Sequence, residues 1–241
     1  MLGQSGNLQM KILGIIGGTG PETTIEYYRR LIAAYCARSP EGRAPSLVIN
    51  SIDSKKLIEL VTANELTQMA DYLVGEVERL ARAGAGLALI AANTPHLVFD
   101  EVQSRSPIPM LSIVTATRDA AAAAGLRRLA LFETRFTMQA AFFPEIFKGR
   151  EIAIVVPNEA EQTYIHDKYM SELFVNIILS ETRERLLEIV QAMKEREGVD
   201  GLILGGTELS LILREPTAAG LPVLDTTQIH VEAAVEWLLR D

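Results

Sequence analysis

Short apolar runs alternate along the chain with longer segments in which apolar residues recur every three or four positions. The runs cover residues 11–16, 46–50, 87–93, 128–132, 151–156, 201–206 and 222–225, and their length and their content of Val, Ile and Leu predict β-strands. The segments 67–83 and 184–196 have the spacing of amphipathic helices. Because continuous apolar strands alternate with helices, the sequence predicts an α/β fold whose parallel sheet is covered on both faces.

The pattern repeats in outline along the chain. A strand-loop-helix unit opens each half, and each half contains a strand that ends in a polar tripeptide, Asn93-Thr94-Pro95 or Gly206-Thr207-Glu208. A helix predicted near residues 115–127, which ends at Gly125, connects the two halves. In such folds ligands bind beyond the carboxyl ends of the strands, so the loops after the strands are the candidate sites.

The composition favours a small-molecule ligand. Of the 241 residues, 31 are acidic and 23 basic, which gives a formal charge of -8. No Lys/Arg-rich stretch is present, so a nucleic acid or an anionic membrane surface is a disfavoured partner. No apolar run reaches the ~20 residues of a membrane helix, and residues 1–10 lack the pattern of a signal peptide. We therefore expect a cytoplasmic protein with a flexible leader over residues 1–10.

The cysteine and histidine content argues against a metal enzyme. Cys36 is the single cysteine, which excludes an intramolecular disulfide, a thiolate zinc site and a CxxC redox pair. The three histidines, at positions 96, 166 and 230, lack the i, i+4 spacing of a helical metal site. We expect no metal ion.

The loop GIIGGTGPETT, residues 14–24, is the first candidate for ligand binding. Its glycines, among them Gly18, let backbone N–H groups approach a ligand closely, and Thr19 adds a hydroxyl. A helix that starts directly after such a turn attracts anions. The spacing differs from the nucleotide-binding fingerprints, and a tight connection between strand and helix is the alternative interpretation.

The loop AANTPH, residues 91–96, follows a buried strand. Asn93 and Thr94 can cap the next helix and can also offer an amide and a hydroxyl to a carboxylate. His96 is a candidate general acid or base, with a packed or surface histidine as the alternative.

Two loops of the second half add further candidates. In FETRFTM, residues 132–138, Thr134 and Thr137 can present hydroxyl and N–H groups to an anion. Glu133 beside such a site either carries a raised pKa or faces the surface. In GGTELSL, residues 205–211, Thr207 can contact a ligand, and Glu208 is a second candidate acid or base, although a helix-capping role alone explains it.

Five segments resemble one known family. GGTGPETTIEYY, ANTPH, TRFTM, LGGTEL and DTTQIH, in this order and spacing, are similar to the aspartate/glutamate racemase superfamily, in particular to its aspartate racemase branch, over about residues 11–239. The resemblance implies two similar lobes related by a pseudo-twofold axis with the active site between them. It also implies a homodimer and an isomerase without pyridoxal phosphate or another cofactor. We expect one lobe over residues 11–115 plus the C-terminal helix 227–241, and the other over 116–226.

In that family two cysteines face each other across the α-carbon of the substrate, where one removes the proton and the other returns a proton on the opposite face. The resemblance aligns Ala92 and Gly206 with these two positions, and neither residue can carry a proton. Cys36 lies on the predicted first helix, away from every strand-end loop. Glu133 stands where the family usually has a glycine, and Lys55, Lys56 and His166 are weakly aligned candidates for carboxylate binding.

Three functions are compatible with this pattern. The first is an enzyme that acts at the α-carbon of a small amino acid or dicarboxylate with a relocated acid or base, for which Glu133, His96 and Glu208 are the candidates, with isomerase, lyase or cyclase chemistry. The second is a catalytically silent protein that binds or senses a small carboxylate. The third is an aspartate racemase whose cysteines were replaced by design. The expected ligand contacts are Gly18, Thr19, Asn93, Thr94, Thr134, Thr137 and Thr207.

Overall fold

A computed structural model describes residues 11–240 and contains two β-sheets. The predicted leader, residues 1–10, lies outside the described residues. The strands of the first sheet are β1 (Ile12–Gly17), β2 (Ser46–Ser51), β3 (Leu87–Ile90) and β4 (Met110–Leu111). Their order is β2-β1-β3-β4 with every pair parallel.

The second sheet repeats this order. Its strands are β5 (Arg128–Phe132), β6 (Ala153–Val155), β7 (Gly201–Leu204), β8 (Thr217–Ala218) and β9 (Leu221–Asp225). The order β6-β5-β7-β9 has the same connectivity as the first sheet, and β8 adds an antiparallel edge. The predicted fold class, two similar α/β lobes with parallel sheets, is confirmed.

Eleven α-helices surround the sheets within the described residues. They are α1 (Pro21–Arg38), α2 (Ser54–Thr62), α3 (Leu66–Arg82), α4 (Phe99–Arg105), α5 (Ile113–Ala123), α6 (Arg135–Met138), α7 (Phe142–Lys148), α8 (Glu159–Ser171), α9 (Ser180–Glu197), α10 (Leu209–Ile212) and α11 (Thr226–Leu239). The helix predicted at 67–83 corresponds to α3, and the one at 184–196 is the central part of α9. Gly125, two residues after α5, has φ +73°, a left-handed conformation that favours glycine.

Both faces of each sheet are buried, as continuous apolar strands require. In β1, Leu13 and Ile15 pack on one side with α1 and α11, whereas Ile16 packs on the other side with α3. In β5, Leu129 and Leu131 pack toward α5 and α7, and the alternate residues of the strand pack toward α8 and α9. Successive side chains of a strand point to opposite faces, so each apolar run supplies two cores at once.

The two sheets are linked by two helices. Helix α5 leads from the first sheet to the second and packs on the core of β5 through Ile113 and Val114. Helix α11 follows β9 and returns to the first sheet, where Val231 and Val235 pack against the core of β1 and β3. The exact division into lobes, 11–115 with 227–241 and 116–226, stays a prediction.

Candidate active site

The loops that follow the two central strands of each sheet converge on one cavity of about 100 Å³. This is the edge of an α/β sheet at which ligands bind, because strand order reverses there. The cavity is lined by Thr19, Gly20, Ser54, Leu57, Ile58, Val61, Ala92, Asn93, Thr94, Pro95, Glu133, Thr134, Phe136, Tyr169, Met170, Phe174, Gly205, Thr207 and Glu208. Seven of the sequence-derived candidates are thus brought together, namely Thr19, Asn93, Thr94, Glu133, Thr134, Thr207 and Glu208.

Asn93 ties the two lobes together across the cavity. Its side-chain N–H donates to the carbonyl of Gly205 and, at 3.1 Å, to Oγ1 of Thr226. The side chain makes no capping hydrogen bond to the short 3₁₀ turn Thr94–Val98 that it precedes. Its Oδ1 is buried without a hydrogen-bond partner among the described residues, and a buried acceptor of this kind is suited to a ligand donor.

Glu133 is a buried carboxyl group in the wall of the cavity. Only 3% of the residue is exposed, which excludes the surface-facing alternative. A carboxyl oxygen accepts a hydrogen bond from the backbone N–H of Thr134. Burial raises the pKa of Glu133 to about 7, and the charge of Glu208 acts in the same direction. A carboxyl group with this pKa can both accept and donate a proton near neutral pH.

Glu208 is held by three hydroxyl groups. Thr23 donates to Oε1 at 2.8 Å, Thr207 donates to Oε2 at 2.8 Å, and the Tyr169 hydroxyl also donates to Oε2. Burial raises the pKa of Tyr169 well above its ordinary value, with the charge of Glu208 as the next cause, so the phenol keeps its proton. Glu208 is therefore an acceptor that fixes the ring of Tyr169 in the cavity.

The ring of Tyr169 fills the space beside Gly206. A Cβ atom added to Gly206 would lie 2.3 Å from Cε2 of Tyr169 and 3.1 Å from its Cδ2 and Cζ. The position therefore accepts no side chain while Tyr169 stays in place. Glycine at 206 and tyrosine at 169 are a matched pair.

His96 is not among the residues that line the cavity, which corrects its prediction as an acid or base. Its Nε2 accepts from the backbone N–H of Ile113 at 3.2 Å, so Nδ1 carries the proton and donates to the carbonyl of Ala92 at 3.0 Å. The ring stacks on Phe99. Burial lowers the pKa of His96 to about 3, and the neutral ring has both nitrogens engaged by the backbone.

Gly18 and Thr137 also lie outside the lining, contrary to expectation. Gly18 has φ +82°, a Cβ there would lie 2.4 Å from the carbonyl oxygen of Ile52, and its N–H donates to Thr24 Oγ1 at 2.8 Å. The glycine therefore serves the turn and not a ligand. Thr137 is fully buried behind Thr94, with 3.2 Å between the two hydroxyl oxygens.

The weakly aligned basic residues are absent from the lining. Lys55 is exposed and 3.9 Å from Glu59, Lys56 lies over the ring of Tyr72, and His166 accepts from the backbone N–H of Arg135 at 3.3 Å. Sequence reasoning missed the apolar lining from α2, from Phe136 and from 169–174. The spacing of Leu57 and Val61 on α2 was the available signal, but it equally describes a core face.

The fold of this chain agrees with that of related solved structures. A sequence profile of the Asp/Glu/Hydantoin racemase family matches residues 16–234. The chain belongs to that family. Among solved structures, this family member resembles a candidate Asp/Glu racemase from Yersinia pestis, with 29% identity, a TM-score of 0.87 and coverage of 96% of this chain and 100% of the other. An aspartate racemase homologue from Pyrococcus horikoshii OT3 is 34% identical, with a TM-score of 0.82 and coverage of 96% of this chain and 100% of the other.

A curated relative of this Asp/Glu/Hydantoin racemase family member is the broad specificity amino-acid racemase RacX of Bacillus subtilis (strain 168). The two are 21% identical over 238 residues, which are 95% of this chain and 98% of RacX. The assignment of Ala92 and Gly206 to the family's cysteine positions stays a prediction.

Within residues 11–240, none of the helices combines the length and apolarity that a membrane span needs. In the same range no three His, Cys, Asp or Glu side chains are grouped as metal ligands would be.

Proposed function

We propose that this racemase-family member acts at the α-carbon of a small amino acid or dicarboxylate, with Glu133 as the acid or base in place of a cysteine pair. The observation that carries the proposal is a single one: a buried carboxyl group whose pKa is about 7 lines the cavity between the two sets of strand ends. Thr19, Asn93, Thr94, Thr134 and Thr207 supply the polar groups that hold the substrate.

Ala92 and Gly206 bear on the reaction type. Racemisation needs a proton donor and a proton acceptor on opposite faces of the α-carbon, and the described residues that line the cavity from the lobe of Ala92 include no titratable side chain. Glu133 by itself supports a reaction with one proton transfer, such as a lyase or cyclase step, or isomerisation in which the same group removes and returns the proton.

A silent binding protein is the second candidate, and a specific observation favours it. The phenol of Tyr169, which fills the space beside Gly206, keeps its proton and donates a hydrogen bond to Glu208. The same pairing of Gly206 with Tyr169 argues against designed replacement of a native cysteine, because a cysteine at 206 requires a different placement of the tyrosine.

Exchange of the α-proton with solvent tests the proposal. The protein is incubated in D₂O with L-aspartate, L-glutamate, a panel of other L-amino acids and small dicarboxylates, and the α-proton is followed by NMR. We expect exchange that falls by about two orders of magnitude or more in Glu133→Gln, a far larger factor than the loss of ligand affinity. Glu145→Gln, which alters an exposed carboxyl group in the same lobe, is the matched control.

Unchanged exchange in Glu133→Gln would remove Glu133 as the base. Binding without exchange on any ligand would establish the silent binding protein. The single cysteine and the family resemblance also support a cytoplasmic homodimer without a cofactor, and analytical ultracentrifugation measures its oligomeric state.

A further inference from the structure

Part of the cavity wall is apolar, and both lobes contribute to this apolar wall. On the first-lobe side, α2 contributes Leu57, Ile58 and Val61, and Val61 neighbours both of the others on the helix surface because it follows them by four and three residues. On the second-lobe side, the wall consists of Phe136, Met170 and Phe174.

Several of these apolar residues are exposed. Ile58, Phe136 and Met170 are 41%, 42% and 38% exposed, although they line the cavity. Exposed apolar surface that rims a concave site is typical of a place where a ligand covers it. An apolar substituent on the ligand would remove this surface from water.

The charges of the lining select against a second carboxylate on the ligand. Among the described residues that line the cavity, no Lys, Arg or His is present, whereas two carboxyl side chains, Glu133 and Glu208, are. A side-chain carboxylate of a ligand would lose its water without gaining a cation, and it would face these carboxyl groups.

The same charges favour an ammonium group. Asn93 Oδ1 is a buried acceptor without a partner among the described residues, and Glu133 adds a carboxyl group that becomes an anion near neutral pH. An α-ammonium group donates hydrogen bonds and carries the opposite charge, so it satisfies both.

We infer that the ligand is a zwitterionic α-amino acid with an apolar side chain, and that the six apolar wall residues select it over aspartate and glutamate. The claim that this ligand reacts rests on the proposed function, whereas the claim that it binds does not. It narrows the substrate to one carboxylate, one ammonium group and an aliphatic or aromatic substituent.

Two pairs of amino acids test this selection. L-leucine matches L-aspartate in side-chain shape, and L-methionine approximates L-glutamate in length, so each pair differs mainly in charge. Binding is measured by ligand-observed NMR or calorimetry, and α-proton exchange is measured in D₂O on the same samples. We expect leucine and methionine to bind at least about tenfold more tightly than their acidic counterparts.

Ile58→Lys inserts a cation at an exposed position of the wall and should leave the fold intact. We expect it to weaken leucine binding at least about tenfold and to strengthen aspartate binding. Val175→Lys is the matched control, since Val175 is 56% exposed and lies outside the cavity lining, and it should leave both affinities unchanged.

The outcomes separate the inference from the proposed function. Tighter binding of leucine and methionine without any exchange supports the inference and removes the catalytic proposal. Preferential binding and exchange of aspartate or glutamate supports the catalytic proposal and overturns the inference. Binding of none of the four amino acids, or an Ile58→Lys variant that binds leucine as the wild type does, also overturns it.

Discussion

Substitution of Gly206 by alanine probes the pairing of this glycine with Tyr169. The new Cβ would lie 2.3 Å from Cε2 of Tyr169, roughly 1.2 Å short of the ~3.5 Å at which two carbon atoms make favourable contact. The ring cannot turn away freely, because the tyrosine is 93% buried (7% exposed) and its hydroxyl donates to Glu208.

Such overpacking costs about 1–3 kcal/mol of unfolding free energy, which corresponds to a Tm lower by about 2–12 °C for a chain of this length. The assay is urea unfolding followed by far-UV circular dichroism, carried out as a double-mutant cycle. In a Tyr169→Ala background the ring is gone, and Gly206→Ala should cost less than about 0.5 kcal/mol.

Gly75→Ala provides the matched control. Gly75 lies inside α3, and a Cβ there meets no described atom within 4 Å. Alanine should therefore stabilise the helix by about 0.5–1 kcal/mol. If Gly206→Ala cost the same with and without the tyrosine ring, or nothing at all, the matched-pair explanation would be refuted.

Three further predictions concern the buried polar groups. Burial raises the pKa of Glu133 to about 7, so the folded protein binds this proton more tightly than the unfolded chain, and stability falls as pH rises from about 4.5 through 7. The unfolding free energy of Glu133→Gln, measured by urea unfolding, should thus rise by about 3 kcal/mol relative to that of the wild type between pH 4 and pH 8. A difference between the two proteins that does not change with pH would contradict this. Burial lowers the pKa of His96 to about 3 and of His230 to about 4. The contribution of these neutral imidazoles to stability is therefore present above pH 6.5 and is lost as pH falls toward 4 and 3. NMR should show neither imidazole titrating between pH 8 and 5, and a titration of either in this range would refute the lowered pKa values. Asn93→Ala removes the donor to Gly205 and should cost about 1–3 kcal/mol, and unchanged unfolding would mean that this bridge contributes nothing.

Much of the fold could be predicted because the buried strands are apolar on both faces. Leu13, Ile15 and Ile16 fill opposite cores of one sheet, which is the condition that produces a continuous apolar run. The sequence pattern did not predict the strands β4 and β8, because each has two residues, too few to show an alternation of apolar and polar positions. Their pairing is fixed by the neighbouring strand and not by their own sequence.

The site could be predicted only as far as it follows strand ends. Asn93 and Thr207 come directly after apolar runs, so their place at the sheet edge follows from chain order. Tyr169 enters from α8, far from those loops in sequence, and no local pattern indicates that its ring reaches Gly206. The burial of Glu133 likewise depends on a distant glycine, since a Cβ at Gly205 would lie 2.7 Å from its Cγ.

The return of α11 to the first sheet has a consequence for the order in which the protein assembles during synthesis. The strands β1 and β3 emerge from the ribosome early, but the helix that covers one of their faces is translated only after every strand of the second sheet. Domains generally form as units in the order of translation, yet here the earlier lobe cannot finish first. A nascent chain that ends before residue 226 leaves Leu13 and Ile15 without Val231 and Val235, and such a chain is a natural substrate for chaperones.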